Sequence, residues 1–87
     1  MIERTQTGVR LATPLLKVLK GLAAEKAMSL GDLLEGIVLH AFEGKSAFSD
    51  ETLATITKLK DAYGCELTSA DSHLHPERRE HAPRLSA

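Results

Sequence analysis

The sequence lacks most of the devices that stabilise small domains. Its 87 residues include one cysteine, Cys65, so an intrachain disulfide is impossible and a disulfide-stapled secreted scaffold is excluded. Aromatic residues make up 3% of the chain, so any core must be built from Leu, Ile, Val and Ala. A lone chain of this size buries only about 60–65% of its unfolded surface, which leaves dimerisation as the open route to stability.

Long apolar runs and an excess of positive charge are also missing. No run approaches the roughly 20 residues that span a bilayer and none reads as a signal peptide, so we expect a cytoplasmic protein with no membrane partner. Eleven Lys and Arg against twelve Asp and Glu give a formal net charge of −1. Net charge alone therefore does not suggest nucleic acid, because DNA-binding domains usually carry a basic excess.

Residues Thr5 to Leu11 alternate in the two-residue period of a half-buried strand. One face carries Thr7, Val9 and Leu11, and the other carries Gln6, Gly8 and Arg10. The rest of the chain offers no hairpin partner, and a lone strand cannot satisfy its own backbone. The pattern therefore predicts that this strand pairs with a second copy of itself.

A first helix should follow the strand. Thr13 suits its N-cap and Pro14 its first position, and an end near Lys26 or Ala27 is expected. One buried stripe is predicted along it, formed by Leu15, Leu16, Leu19, Leu22 and Ala23.

Two further helices are predicted. Ser29 caps the second, with Asp32 three residues on and Gly44 at its end. Gly31 and Gly36 each cost it about 1 kcal/mol of helix propensity, which close approach of another helix in a dimer core could offset. Ser49 caps the third, over Asp50 to Tyr63, before Gly64. The third helix has a narrow stripe that could dock on the dimer or on another protein, formed by Leu53, Ile56, Leu59 and Tyr63.

The order of a short strand, a helix, a Ser-containing turn and a second helix resembles the ribbon-helix-helix family over about residues 5–44. The matching residues are Val9-Arg10-Leu11, Leu15-Leu16-x-x-Leu19-x-x-Leu22-Ala23 and Ala27-Met28-Ser29-x-x-Asp32-Leu33-Leu34. Ala27 stands where the family usually has Gly. The resemblance implies a mainly α protein with one short strand per chain, forming an intertwined homodimer with a two-stranded antiparallel ribbon.

The resemblance also implies a function, that of a sequence-specific repressor whose ribbon enters the major groove of double-stranded DNA. Gln6, Gly8 and Arg10 would face the bases, although Gly8 has no side chain with which to read them. Phosphate contacts would come from the start of the second helix and from basic side chains: Ser29, Leu30, Lys17, Lys20 and Arg4, with Lys26 as a further candidate. The dimer core would contain Val9, Leu11, Leu19, Leu33, Leu34, Ile37 and Phe42.

Other readings stay open at this point. Residues 1–46 would form the dimerisation and DNA-binding domain, 47–67 a helical extension and 68–87 a disordered tail. Residues 49–87 could bind a protein partner, as in an antitoxin-like adaptor, and near-neutral charge with Gly8 would also suit an assembly module that binds no DNA. We expect no catalytic residues and no cofactor. We also expect no metal, because the candidate ligands Cys65, His73, His75 and His81 are loosely spaced.

Overall fold

The computed structural model describes residues 2–72, which form an all-α arrangement of three helices. These are α1 (Thr13–Glu25), α2 (Leu30–Phe42) and α3 (Asp50–Ala62), followed by a short 3₁₀ helix (Ser69–Asp71). The three predicted helices are thus confirmed. Of the predicted disordered tail, residues 73–87 lie outside the described part. Among the described helices, none has the length and apolar character needed to cross a bilayer.

The helix starts follow from side-chain capping at two of the three sites. Ser29 Oγ accepts a hydrogen bond from the N–H of Asp32 at 3.1 Å, and Ser49 Oγ accepts one from the N–H of Thr52 at 3.2 Å, as predicted. The start of α1 differs, because Ala12 occupies the N-cap and Thr13 is already helical. The N–H of Leu16, from which a Thr13 cap would accept, donates instead to the carbonyl of Ala12 at 3.0 Å, so it needs no side-chain cap.

The core lies along α1, which packs against both α2 and α3. Its buried centre consists of Leu22, Ala23 and Leu33. Partly buried side chains from all three helices and the loop before α3 pack around that centre: Leu19, Ile37, Phe48, Ile56 and Leu59. The predicted α1 stripe is confirmed at Leu22 and Ala23, whereas Leu15 is 38% exposed.

Helix α3 packs on α1 of its own chain at Gly21. A Cβ added to Gly21 would lie 3.1 Å from Leu59 Cδ2 and 3.4 Å from Tyr63 Cε2. Glycine thus permits the close approach of α3. Covering this second face of α1 also accounts for the burial of Val18, one turn before Gly21, which the single predicted stripe missed.

The predicted strand over Thr5–Leu11 is not formed within one chain. Residues 2–12 contain no helix, strand, turn or bend, and residues 2–11 are all exposed. A strand needs a neighbouring strand to accept from its N–H groups and donate to its C=O groups, and residues 2–72 supply none. The same requirement led to the prediction of a second copy. The inter-chain ribbon itself stays a prediction.

Candidate nucleic-acid interface

The predicted base-reading residues lie together on the exposed segment that precedes α1. Gln6, Gly8 and Arg10 are all exposed. The side chains of Gln6 and Arg10 make no hydrogen bond or ion pair with any of residues 2–72. Their donors and acceptors are therefore available to a ligand, and glutamine and arginine are the types that pair bidentately with adenine and guanine.

Gly8 is not required by the backbone of this segment. Positive φ angles among the described glycines occur at Gly44 and Gly64, and a Cβ added to Gly8 would meet nothing within 4 Å. A side chain is therefore sterically allowed at this position in the single chain. A glycine inside a strand can mark a point where a ligand or another backbone comes close. The absence of a side chain at Gly8 is therefore compatible with close approach of DNA or of a second chain, although Gly8 cannot recognise a base through a side chain.

Arg4, predicted as a phosphate contact, is held by Glu35 on α2. Its Nε donates to Glu35 Oε2 at 2.9 Å and its Nη2 donates to Oε1 at 3.0 Å. The hydrogen bond and the charge of Glu35 raise the pKa of the Arg4 guanidinium, with a smaller contribution from Asp32. The same hydrogen bond lowers the pKa of the Glu35 carboxyl. Sequence reasoning missed Glu35, because nothing in a single sequence pairs residues 31 positions apart.

The predicted phosphate grip lies at the start of α2. The N–H groups of Leu30 and Gly31 belong to the first turn, which has no intrahelical acceptors, and the helix dipole there favours an anion. Ser29 is exposed, and its side chain already accepts from the N–H of Asp32. The Asp32 carboxylate adds negative charge at the same helix end, which opposes a second anion.

The lysines predicted to contact phosphate are solvent-exposed. Lys17 and Lys20 lie on α1 and Lys26 follows its last residue. None of the three forms an ion pair within residues 2–72. Exposed unpaired lysines can approach a phosphate backbone without first breaking another contact, and they release counterions when they do.

The residues predicted for the dimer core divide into two groups in the single chain. Leu33 is buried, and Leu19, Leu34 and Ile37 are partly buried. By contrast, Val9 is 71% exposed, Leu11 is 38% exposed and Phe42 is 80% exposed. Val38 and Leu39 are also exposed on α2. Leu19, Leu33 and Ile37 thus belong to the core of the single chain, whereas the second group is exposed on the N-terminal segment and on α2.

No metal site is formed by the part of the chain that the structure describes. Cys65 is a buried free thiol, and residues 2–72 contain no group of three or more His, Cys, Asp or Glu side chains placed to hold an ion. The other candidates, His73, His75 and His81, lie outside the described residues.

A shallow cleft of about 450 Å³ lies between the end of α1 and the start of α3. Its lining combines one apolar side chain with charged and hydroxyl groups: Leu22, Glu25, Lys26, Ser49, Glu51, Thr52 and Thr55. The Thr52 hydroxyl accepts from Ser49 Oγ at 3.1 Å, so the polar groups at its base satisfy each other. The cleft therefore contains the residues that cap α3, Ser49 and Thr52. It shares no residue with the predicted base-reading surface.

The sequence matches no protein-family model, and no curated protein or solved structure matches the chain.

Proposed function

We propose that the chain forms an intertwined ribbon-helix-helix homodimer that binds double-stranded DNA through its N-terminal ribbon and acts as a sequence-specific repressor. The observation that carries the proposal is the segment of residues 2–11, which is exposed throughout and makes no backbone hydrogen bond within residues 2–72. It lies directly before the first of two helices joined by a capped turn. Pairing with a second copy gives its backbone groups partners that the described part of one chain does not offer.

The apolar surface supports a second copy independently of the backbone. Val9 and Leu11 are exposed on the segment, and Leu39 (59%) and Phe42 (80%) are exposed on α2. Large apolar side chains that are exposed on neighbouring parts of a surface often mark an interaction site, and a second copy would supply the apolar partner that these four lack. A partner copy that covers both elements would bury them.

Two glycines on α2 also favour contact with a second copy. A Cβ added to Gly36 would meet nothing within 4 Å, and one added to Gly31 would meet only Ser29 Oγ at 4.0 Å. Each glycine costs the helix about 1 kcal/mol, and no helix within residues 2–72 uses the space. Close approach of a second copy at either position would account for the glycine there.

DNA is favoured as the ligand by the side chains on the ribbon. Gln6 and Arg10 are the two free polar side chains on the predicted reading face, and each can discriminate a base in the major groove. The N–H groups of Leu30 and Gly31 at the start of α2 and the unpaired lysines of α1 would supply the phosphate contacts that set the position of the ribbon.

Selection from a random duplex pool with purified protein tests this function. We expect an enriched sequence whose binding weakens steeply as salt rises. Arg10→Ala should weaken that binding by about 1–3 kcal/mol, whereas Lys58→Ala, an equal change of charge on α3, should leave it nearly unchanged. A dimer that binds no duplex at low salt would instead identify an assembly module.

An antitoxin-like adaptor is less well supported by the described residues. Ile56 and Leu59, half of the predicted docking stripe of α3, pack on the core of their own chain. Leu53 and Tyr63, each 45% exposed, are left for a partner, which is a small anchor for a protein interface.

A further inference from the structure

The contact between Arg4 and Glu35 bears directly on the proposed function. Glu35 takes the Nε and Nη2 donors of Arg4 together, in the bidentate arrangement that arginine also uses for phosphate. A phosphate that approaches along this edge of the guanidinium must displace Glu35. While the pair is intact, the negative charge of Glu35 also cancels the attraction of Arg4 for DNA.

The same contact fixes where the N-terminal segment lies. Arg4 belongs to a segment that has no secondary structure, and its partner is on the second turn of α2. Asp32, one turn earlier on α2, adds to the negative potential at Arg4. The segment is thus drawn towards the acidic start of α2, beside the N–H groups proposed to grip phosphate.

The exposure of the pair makes it reversible. The side chains of Arg4 and Glu35 are 56% and 47% exposed, so water and salt screen their attraction. Exposed pairs of this kind shift an equilibrium by about two- to fivefold. An ion pair of this strength can hold the segment in the free protein and can still be displaced by the closely spaced charges of a DNA backbone.

We propose that Glu35 acts as an intramolecular competitor of DNA, holding Arg4 against α2 until phosphate replaces it. This inference rests on the proposed DNA-binding function. Glu35 is thus a regulatory residue that touches no base, and Arg4 is a phosphate-binding residue that is masked in the free protein.

Glu35→Gln tests the competition because it keeps the shape of the side chain and removes its charge. We expect binding of a random-sequence duplex to tighten by about two- to fivefold per protomer, and its salt dependence to rise by about one ion per protomer. Glu43→Gln is the control, because Glu43 also forms an exposed ion pair, with Lys45 at 3.2 Å, and both of those side chains are 67% exposed. Equal effects of the two variants, or weaker binding by Glu35→Gln, would overturn the competition.

A double-mutant cycle separates competition from simple repulsion of DNA by Glu35. In an Arg4→Gln background, Glu35→Gln should no longer tighten binding, because the residue it masks is gone. A gain that persists in that background would show that Glu35 repels DNA directly and that Arg4 is not its target.

Trypsin gives a readout that needs no DNA. Cleavage after Arg4 requires a free guanidinium, so Glu35→Gln should speed release of residues 1–4 by about two- to fivefold relative to cleavage after Arg10. Unchanged relative cleavage would show that the pair does not hold the segment. Faster cleavage with no DNA binding by any variant would keep the ion pair but overturn both the DNA function and the competition.

Discussion

The backbone N–H of Met28 donates to the carbonyl of Ala23 at 3.0 Å, and this hydrogen bond closes the end of α1. The residue between them in the turn, Ala27, donates to Ala24 at 3.1 Å and has a φ of +54°, the left-handed region that glycine normally occupies. Helices α2 and α3 end in the same hydrogen-bond pattern with Gly44 and Gly64 at the equivalent position. The turn before Ser29 is thus strained where the other two are relaxed.

We expect Ala27→Gly to raise the free energy of unfolding by about 1 kcal/mol, because glycine removes the clash of Cβ with the following carbonyl. Urea unfolding at a fixed protein concentration measures the change. Gly44→Ala is the reverse control, with φ +69°, and should lower stability by a similar amount. A destabilised Ala27→Gly variant would contradict the assignment of strain to this turn.

The loss of stability caused by a substitution at Gly21 should grow with the size of the new side chain. Gly21→Leu places a side chain where Leu59 and Tyr63 lie and should destabilise the chain by about 1–3 kcal/mol. Gly21→Ala should change stability far less, because the gain in helix propensity offsets a contact with the end of a flexible side chain. Tyr63, the only tyrosine in a chain without tryptophan, reports the α1–α3 contact by its fluorescence. Equal stability of the two variants would show that α3 is not held at this point.

Phe42→Asp should weaken the proposed dimer, although Phe42 takes no part in the core of its own chain. Phe42 is 80% exposed in one chain, and burying a phenylalanine contributes about 1.5–3 kcal/mol, so its loss should raise the dimer dissociation constant more than tenfold. Sedimentation velocity over a range of concentrations measures this. Leu53→Asp, which puts the same charge on the exposed side of α3, is the control, and equal dissociation of both variants would place the interface elsewhere.

The Glu35 carboxyl should titrate at lower pH in the native chain than in Arg4→Gln, because the hydrogen bond from Arg4 lowers its pKa. A carboxyl with a lowered folded-state pKa stabilises the fold above its unfolded pKa of about 4.3 and loses that contribution as pH falls through the folded value. NMR of the Glu35 side chain follows the titration. Identical curves in the two proteins would show that the ion pair is absent in solution.

Local signals in the sequence determine most of the helical fold. Ser29 and Ser49 are capping residues, and Gly44 and Gly64 are left-handed end residues, so each acts within a few positions of itself. The end of α1 near Lys26 or Ala27 was also predicted, but alanine usually continues a helix, so the left-handed φ of Ala27 was not.

Contacts between residues that are far apart in the sequence could not be predicted from sequence patterns. The approach of Leu59 to Gly21 and the pairing of Arg4 with Glu35 both depend on how the helices are placed in space. The sequence pattern predicted the segment on which Gln6 and Arg10 lie exposed, whereas it did not predict the pairing of Arg4 with Glu35. The roles of Gln6, Gly8 and Arg10 toward DNA stay predictions.

The small size of the buried centre has a consequence for how the protein responds to its own abundance. Within residues 2–72, the buried apolar side chains are Val18, Leu22, Ala23, Leu33 and Cys65. A core of so few side chains seldom stabilises a domain of this length by itself. In the proposed dimer, folding and association would therefore be one equilibrium. Dilution would then unfold the chain, and doubling its synthesis in a cell would more than double the amount of native protein.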